Sequence, residues 1–323
     1  MFGEDYAYAV ARIRVLETGL LNQAALEQLL ACPDEQQCLQ VLTEKGWGDG
    51  DPAAGADAIL TREREKIWEI MDSLVEDRSV FSVLSYEDLF HNLKAAVKAS
   101  VMDGDTPNIF YHDCGMDGED MVKFLRNKEY DRFPENMRQA AQEAYETFLH
   151  TRDGQLCDII IDRATLDAVH EAGRKSGEDI IRQYAESTVA VADIRIAVRS
   201  AKTGKPGDFM KKAMAECSTL NKDRLIRAAA GGTEQIMDYL SETRYAAGAQ
   251  ALGESPSAFE RWCDDQIMET IRPQLYNSFS LGPLVAYVLA RENEIKTVRI
   301  ILTGKRNDLP EEFIRERVRE MYV

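Results

Sequence analysis

The sequence holds 323 residues and carries a formal charge of −17, with a pI near 4.8. So strong an excess of acid would repel a phosphate backbone and argues against nucleic-acid binding, while the length leaves room for two or three compact units. Ala, Glu, Leu, Arg and Asp are abundant and Pro is scarce, nine in all, a profile that predicts an all-α chain with almost no sheet.

The start, Met1 to Asp5, is acidic and lacks the basic and apolar segments of a signal peptide. From Tyr6 to Leu21, Ala9, Ile13, Leu16 and Leu20 fall on one helical stripe. Ala25, Leu26, Leu29 and Leu30 predict a second short helix, and Leu39, Val41 and Leu42 a third. Glycines at 46, 48, 50 and 55 with Pro52 mark Gly46 to Ala56 as a loop. Long helices are predicted over 57–74 and 86–101, the second with Ser85 placed three residues before Asp88 as in a capping box. The Gly- and Asp-rich stretch 103–120 reads as another loop.

Helices are predicted again over about 135–150, 155–200, 208–228, 233–248 and 256–272. Pro283 opens a helix that runs to about Leu302, where Gly304 stops it. Asp308, Pro310, Glu311 and Glu312 then lead into a last amphipathic helix, with Ile314, Val318, Met321 and Tyr322 on one face, inside which the chain ends. The best apolar run, Leu284 to Ala290, is far short of the roughly 18–20 residues of a membrane helix, so direct insertion into a bilayer is not expected.

One phrase recurs: an Asp or Asn, then five residues later Val or Leu followed by Lys or Arg. It reads Asp88…Leu93-Lys94, Asp193…Val198-Arg199 and Asn293…Val298-Arg299, at separations of 105 and 100 residues. This predicts three similar domains, 1–105, 106–205 and 206–323, the last carrying the C-terminal helix. A six-residue gap turns a helix by about 600°, so the charged ends of the phrase cannot pair and it reads as a packing rule rather than a site. A second echo sets Leu21-Asn22, Leu26, Ala31 and Glu35-Gln36 against Leu220-Asn221, Leu225, Ala230 and Glu234-Gln235, at a constant offset of 199. The corresponding start of the middle copy is expected near Leu125 to Phe133, where no convincing match stands.

The residues that carry chemistry elsewhere do not converge. Cys32, Cys38, Cys114, Cys157, Cys217 and Cys263 contain no C-x-x-C pair and predict buried free thiols. Thr203-Gly204-Lys205 and Thr303-Gly304-Lys305 lack the pattern of a phosphate-binding loop and suit glycine helix ends. The acidic loop Asp113 to Asp120 has Gly115 and Phe124 where a calcium loop needs oxygen ligands. His112, Asp113 and Cys114 are adjacent in sequence, and His91, His150 and His170 follow no ligand spacing. No catalytic, cofactor-binding or metal-ligating residue is assigned. An enzyme using Cys114, His112 or the acidic loop would lose turnover on Cys114→Ala or Asp117→Ala. The charge pattern says more: Arg195, Arg199, Lys202, Lys205, Lys211 and Lys212 stand against the single acid Asp208, a candidate interface for an acidic protein partner.

The stretch Glu292 to Lys305, followed by Leu309-Pro310-Glu311-Glu312 and the terminal Arg317 to Val323, resembles the C-terminal signature of the C-subunit family of V-type and A-type ATPases, whose eukaryotic counterpart is the d subunit. Tyr6 to Arg14 with Glu17 and Leu20-Leu21 is similar to that family's opening, and Asp88 with Asn92-Leu93-Lys94-Ala95 to an internal segment. The resemblance implies three similar helical bundles in a pseudo-threefold, funnel-like array. It implies a non-catalytic, cofactor-free coupler between the membrane rotor ring and a central shaft of the D and F subunits, on the cytoplasmic side of a membrane that transports protons or sodium. The other reading is a free-standing helical-repeat adaptor, a monomer without ring or shaft partners.

Overall fold

The computed structural model describes residues 6–51, 53–101 and 109–323. The acidic start, Pro52 and the opening of the predicted 103–120 loop lie outside them. Within the described residues every regular element is a helix, and none is long and apolar enough to cross a membrane. The helices in chain order are α1 (Ala7–Glu17), α2 (Gln23–Leu30), α3 (Glu35–Glu44), α4 (Ala56–Leu74), α5 (Tyr86–Ser100), α6 (Gly118–Asn127), α7 (Glu135–Thr151) and α8 (Gly154–Lys175). They continue as α9 (Asp179–Thr203), α10 (Gly207–Ala213), α11 (Lys222–Gly231), α12 (Thr233–Ser241), α13 (Ala246–Glu254), α14 (Pro256–Ile271), α15 (Gly282–Arg306) and α16 (Glu311–Arg315). The chain divides into two units, one of Met1–Arg78, Glu178–Ile180 and Gln250–Val323, the other of Ser79–Gly177 and Ile181–Ala249.

In the first unit α15 is the axis, with α1, α3, α4, α14 and α16 packed on it. Its apolar run Leu284–Ala290 is buried at every position, which is what a helix surrounded by others requires. The two ends of the chain are fastened together there. Lys305 Nζ donates to the Leu30 carbonyl at the end of α2 at 2.6 Å, Arg306 pairs with Glu35 at 2.6 Å and Arg315 with Glu27 at 2.8 Å.

Two sequence expectations fail in this region. Gly304 does not stop α15, which runs on to Arg306 with Asn307 at its end. A Cβ at Gly304 would lie 2.6 Å from Ile314 Cγ1, so the glycine is there to let α16 pack close. Gly304→Ala is expected to lower stability by about 1–3 kcal/mol through overpacking, although Gly→Ala within a helix ordinarily gains up to about 1 kcal/mol. Thermal melts checking this should show a partial rescue when Ile314→Val is added. The terminal amphipathic helix is only five residues long, because side chains of α14 and α15 take the backbone groups that a longer helix would use itself. Asp265 accepts from Glu320 N at 3.0 Å and Asn293 Nδ2 donates to Glu320 O at 2.7 Å. Val318, Met321 and Tyr322 are buried, as their spacing foretold, but in a non-helical strip.

In the second unit α5, α6, α7 and α8 close over a core that includes Phe90, Leu93, Val97, Met121, Leu125, Phe133, Met137 and Ile161. Ser85 makes no capping bond, since α5 is entered directly from a 3-10 turn at Arg78–Ser85. The helix predicted over 155–200 is broken where Ser176 turns extended, and that over 208–228 is broken across 214–221. The stretch 233–248 likewise divides between α12 and α13. Gly204 does end α9 as expected, in the left-handed region at φ +64°. All six cysteines are free thiols and five are buried.

Candidate partner interface

The cationic segment divides in two when it folds. Arg195, Arg199 and Lys205 line an open cleft of about 650 Å³ in the second unit, together with Lys94 and His91 of α5 and residues of α8 and α10. Ile159, Leu166, Ile196 and Ala213 give the cleft apolar lining. Lys202, Lys211 and Lys212 are exposed and do not line it. Lys211 lies 3.8 Å from Asp208, a pair too exposed to contribute much.

Charge is spent unequally on the two walls. Lys94 pairs with Asp162, and Lys98 pairs with Asp158 at 2.9 Å, so the acids of α8 are already matched. On the α9 side, Lys205 Nζ sits 5.2 Å above the Phe209 ring, and Arg199 is exposed and makes no ion pair among the described residues.

Polar side chains of α5, α9 and α15 hold returning segments of the chain. Asn92, fully buried, accepts from Tyr111 N at 2.8 Å and donates to Tyr111 O at 2.8 Å. Asp193, also buried, accepts from Ala215 N at 3.1 Å, and Asn293 donates to Glu320 O. Each pins the strand of chain that returns along its helix. Asn92, Asp193 and Asn293 are each followed, five and six residues on, by Val97-Lys98, Val198-Arg199 and Val298-Arg299, at separations of 101 and 100 residues. Lys94, the cation assigned to the first copy, instead lines the cleft. Lys98 pairs with Asp158 on α8, and Arg299 lies 3.7 Å from Asp57 on α4. The middle cation, Arg199, is the one left unmatched.

Three helices open on a similar cap. Asn22, Asp117 and Asn221 cap α2, α6 and α11, accepting from Ala25 N at 3.0 Å, Glu119 N at 2.8 Å and Arg224 N at 2.8 Å. Four residues after each cap comes a buried Leu26, Met121 or Leu225. The predicted loop 103–120 thus ends at Asp117, whose carboxylate is occupied as a helix cap. Cys114 is buried, its thiol pushed up by burial and held by Asn92 Nδ2 at 3.2 Å, the opposite of an activated nucleophile. Among the described residues no three His, Cys, Asp or Glu side chains gather as metal ligands.

Sequence reasoning missed a buried ionic cluster in the first unit, since its members lie far apart in the chain. Arg291 of α15 bridges Glu63 of α4 and Glu294, one turn further along α15. Glu63 also accepts from Gly48 N at 2.9 Å and pairs with Lys66 at 2.7 Å, Glu294 accepts from Leu21 N, and the Arg291 guanidinium lies 5.1 Å over the Trp47 ring. Burial pushes the Glu294 carboxyl up to about 7 against the pull of Arg291. The cluster is a clamp joining the N-terminal helices to α15.

Comparison with known proteins finds similarity along nearly the whole chain. Residues 9–317 match the family model described as ATP synthase (C/AC39) subunit. The C subunit of the V-type sodium ATPase of Enterococcus hirae is 22% identical over 270 residues, covering 82% of each chain. The C subunit of the A-type ATP synthase of Methanocaldococcus jannaschii is 21% identical over 340 residues, covering 96% of this chain and 85% of that one.

Proposed function

The chain belongs to the ATP synthase (C/AC39) subunit family, and from that premise we propose that it is a non-catalytic central-stalk subunit of a rotary V/A-type ATPase. It joins the membrane rotor ring to the shaft of the D and F subunits and passes torque between ATP turnover and proton or sodium movement. It is held on the cytoplasmic face of the membrane through the ring. The observation that carries this reading is the family match across nearly the whole chain, residues 9–317. The fold supports it physically, because a part that passes torque must resist shear. The first unit binds both chain ends to one axial helix through the Glu63–Arg291–Glu294 clamp.

The three-domain division belongs to the same proposal. The phrase helices α5, α9 and α15 and the capped starts of α2, α6 and α11 recur in step, each phrase helix opening a bundle. The helices α2–α4 supply the bundle that α15 begins, which accounts for the fastening of the two chain ends.

Co-purification tests the whole reading: the chain should capture both shaft and ring subunits, and a monomer that binds neither would leave the free-standing adaptor. The cationic segment is the proposed interface. Charge reversal at Lys202, Lys205, Lys211 and Lys212 should lower recovery of partners at least about tenfold, the size expected when matched charge becomes like charge. Recovery unchanged by the four substitutions would remove the segment from the interface.

A further inference from the structure

We propose that the cleft between α5, α8, α9 and α10 is the seat of an acidic amphipathic helix belonging to a partner protein. The proposal rests on the central-stalk reading and gives its cationic interface a specific occupant.

Three observations converge on that chemistry. Arg195 and Arg199 are one helical turn apart on α9, about 6 Å, and Lys205 follows the left-handed Gly204 at the end of that helix. Two cations at helical pitch suit carboxylates spaced at i and i+4 on another helix. The apolar lining from Ile159, Leu166, Ile196 and Ala213 offers a surface for the apolar face of such a segment. Finally, charge remains to be matched. Of the acids lining the cleft, Asp158 and Asp162 of α8 are paired with Lys98 and Lys94, Glu87 of α5 is the third, and Arg199 makes no ion pair among the described residues. In a chain of net charge −17, an unmatched cation beside an apolar groove is a specific attraction for an acidic partner.

Photocrosslinking within the assembled ATPase complex tests this. Phe209, half-buried in the cleft wall, is replaced by p-benzoylphenylalanine, the complex is irradiated, and the adduct is mapped by mass spectrometry. The expected adduct lies on a helical segment of another subunit bearing Asp or Glu at i and i+4. Its yield should fall at least about tenfold when Arg199→Glu and Lys205→Glu are added, as expected for like charge set against the segment. Lys123→Glu, exposed on α6 and outside both the cleft and the cationic segment, should leave the yield unchanged. A complex that still contains shaft and ring but gives no adduct, or an adduct with lipid or with a segment lacking acids, overturns the proposal and leaves the central-stalk reading standing. Failure to recover shaft and ring with the unmodified chain removes that parent reading, and this one with it.

Discussion

Replacing Arg291 by Met is expected to destabilise the first unit by about 3–5 kcal/mol at pH 8, the largest effect of any single substitution considered. The reason lies in what remains. Glu63 and Glu294 are both nearly inaccessible, and without the guanidinium between them two carboxylates face each other in the interior. Their other partners do not compensate: Glu63 keeps Lys66 and Gly48 N, while Glu294 keeps Leu21 N. The cost should shrink as pH falls, because protonation relieves the pair, and burial already places Glu294 near 7. Urea denaturation of Arg291→Met at pH 8 and pH 5 measures both statements. The triple variant Glu63→Gln, Arg291→Met, Glu294→Gln should recover much of the loss, since exchanging a whole buried ionic set is milder than removing one member. Equal loss in the single and triple variants would show that Arg291 acts through packing on Trp47 instead. Hydrogen exchange should localise the damage to α2, α4 and α15, the elements that the cluster joins.

How much of this was legible in the sequence depends on the range of the interaction concerned. The helices themselves were: the stripe Ala9, Ile13, Leu16 and Leu20 and the long runs 57–74 and 86–101 are local periodicity, and they appear as α1, α4 and α5. Breaks inside helical stretches were harder, because Ser176-Gly177 and Glu242 to Tyr245 interrupt patterns whose apolar spacing continues on both sides. The phrase was visible, but a second register four residues further on fits the same pattern. A shift of about one helical turn keeps a residue on the same face, so Asp88…Leu93-Lys94 and Asn92…Val97-Lys98 satisfy the same pattern. The bonds from Asn92 to Tyr111 could not be read from that pattern. The cap at Asp117 was overlooked because it sits in a Gly- and Asp-rich stretch that also reads as loop. The clamp and the cleft were invisible, since Glu63 and Arg291 are 228 residues apart and nothing local announces that they meet. Gly304 shows the same limit: its role is set by Ile314, a neighbour only in space.

Helix α9 differs from α5 and α15 in one respect, and stability against pH reads it out. Where α5 and α15 carry Asn92 and Asn293, α9 carries Asp193, buried to 1% exposure and accepting a hydrogen bond from Ala215 N. Burial pushes its carboxyl up to about 7, only partly offset by that bond and by Lys222 on α11 and Arg163 on α8, with Glu216 opposing them. An unfolded Asp ionises near 3.9, so the folded chain binds a proton that the unfolded chain has released between about pH 4 and pH 7. The contribution of this group to stability is therefore intact below pH 4, is lost as pH rises to 7, and stays lost above it. A shift of about three units sets a ceiling of roughly 4 kcal/mol on that loss. Asp193→Asn removes the penalty while keeping an oxygen for Ala215 N, and the amide donor that it adds is the group that finds a backbone carbonyl in the other two copies. The variant should be more stable than the parent by about 1–3 kcal/mol at pH 8 and indistinguishable from it at pH 4, measured by urea denaturation across that range. A gain that persists unchanged at pH 4 would mean that Asp193 carries its charge in the folded state throughout, and that the Asn found in the sister helices is preferred for its extra hydrogen bond rather than for its neutrality.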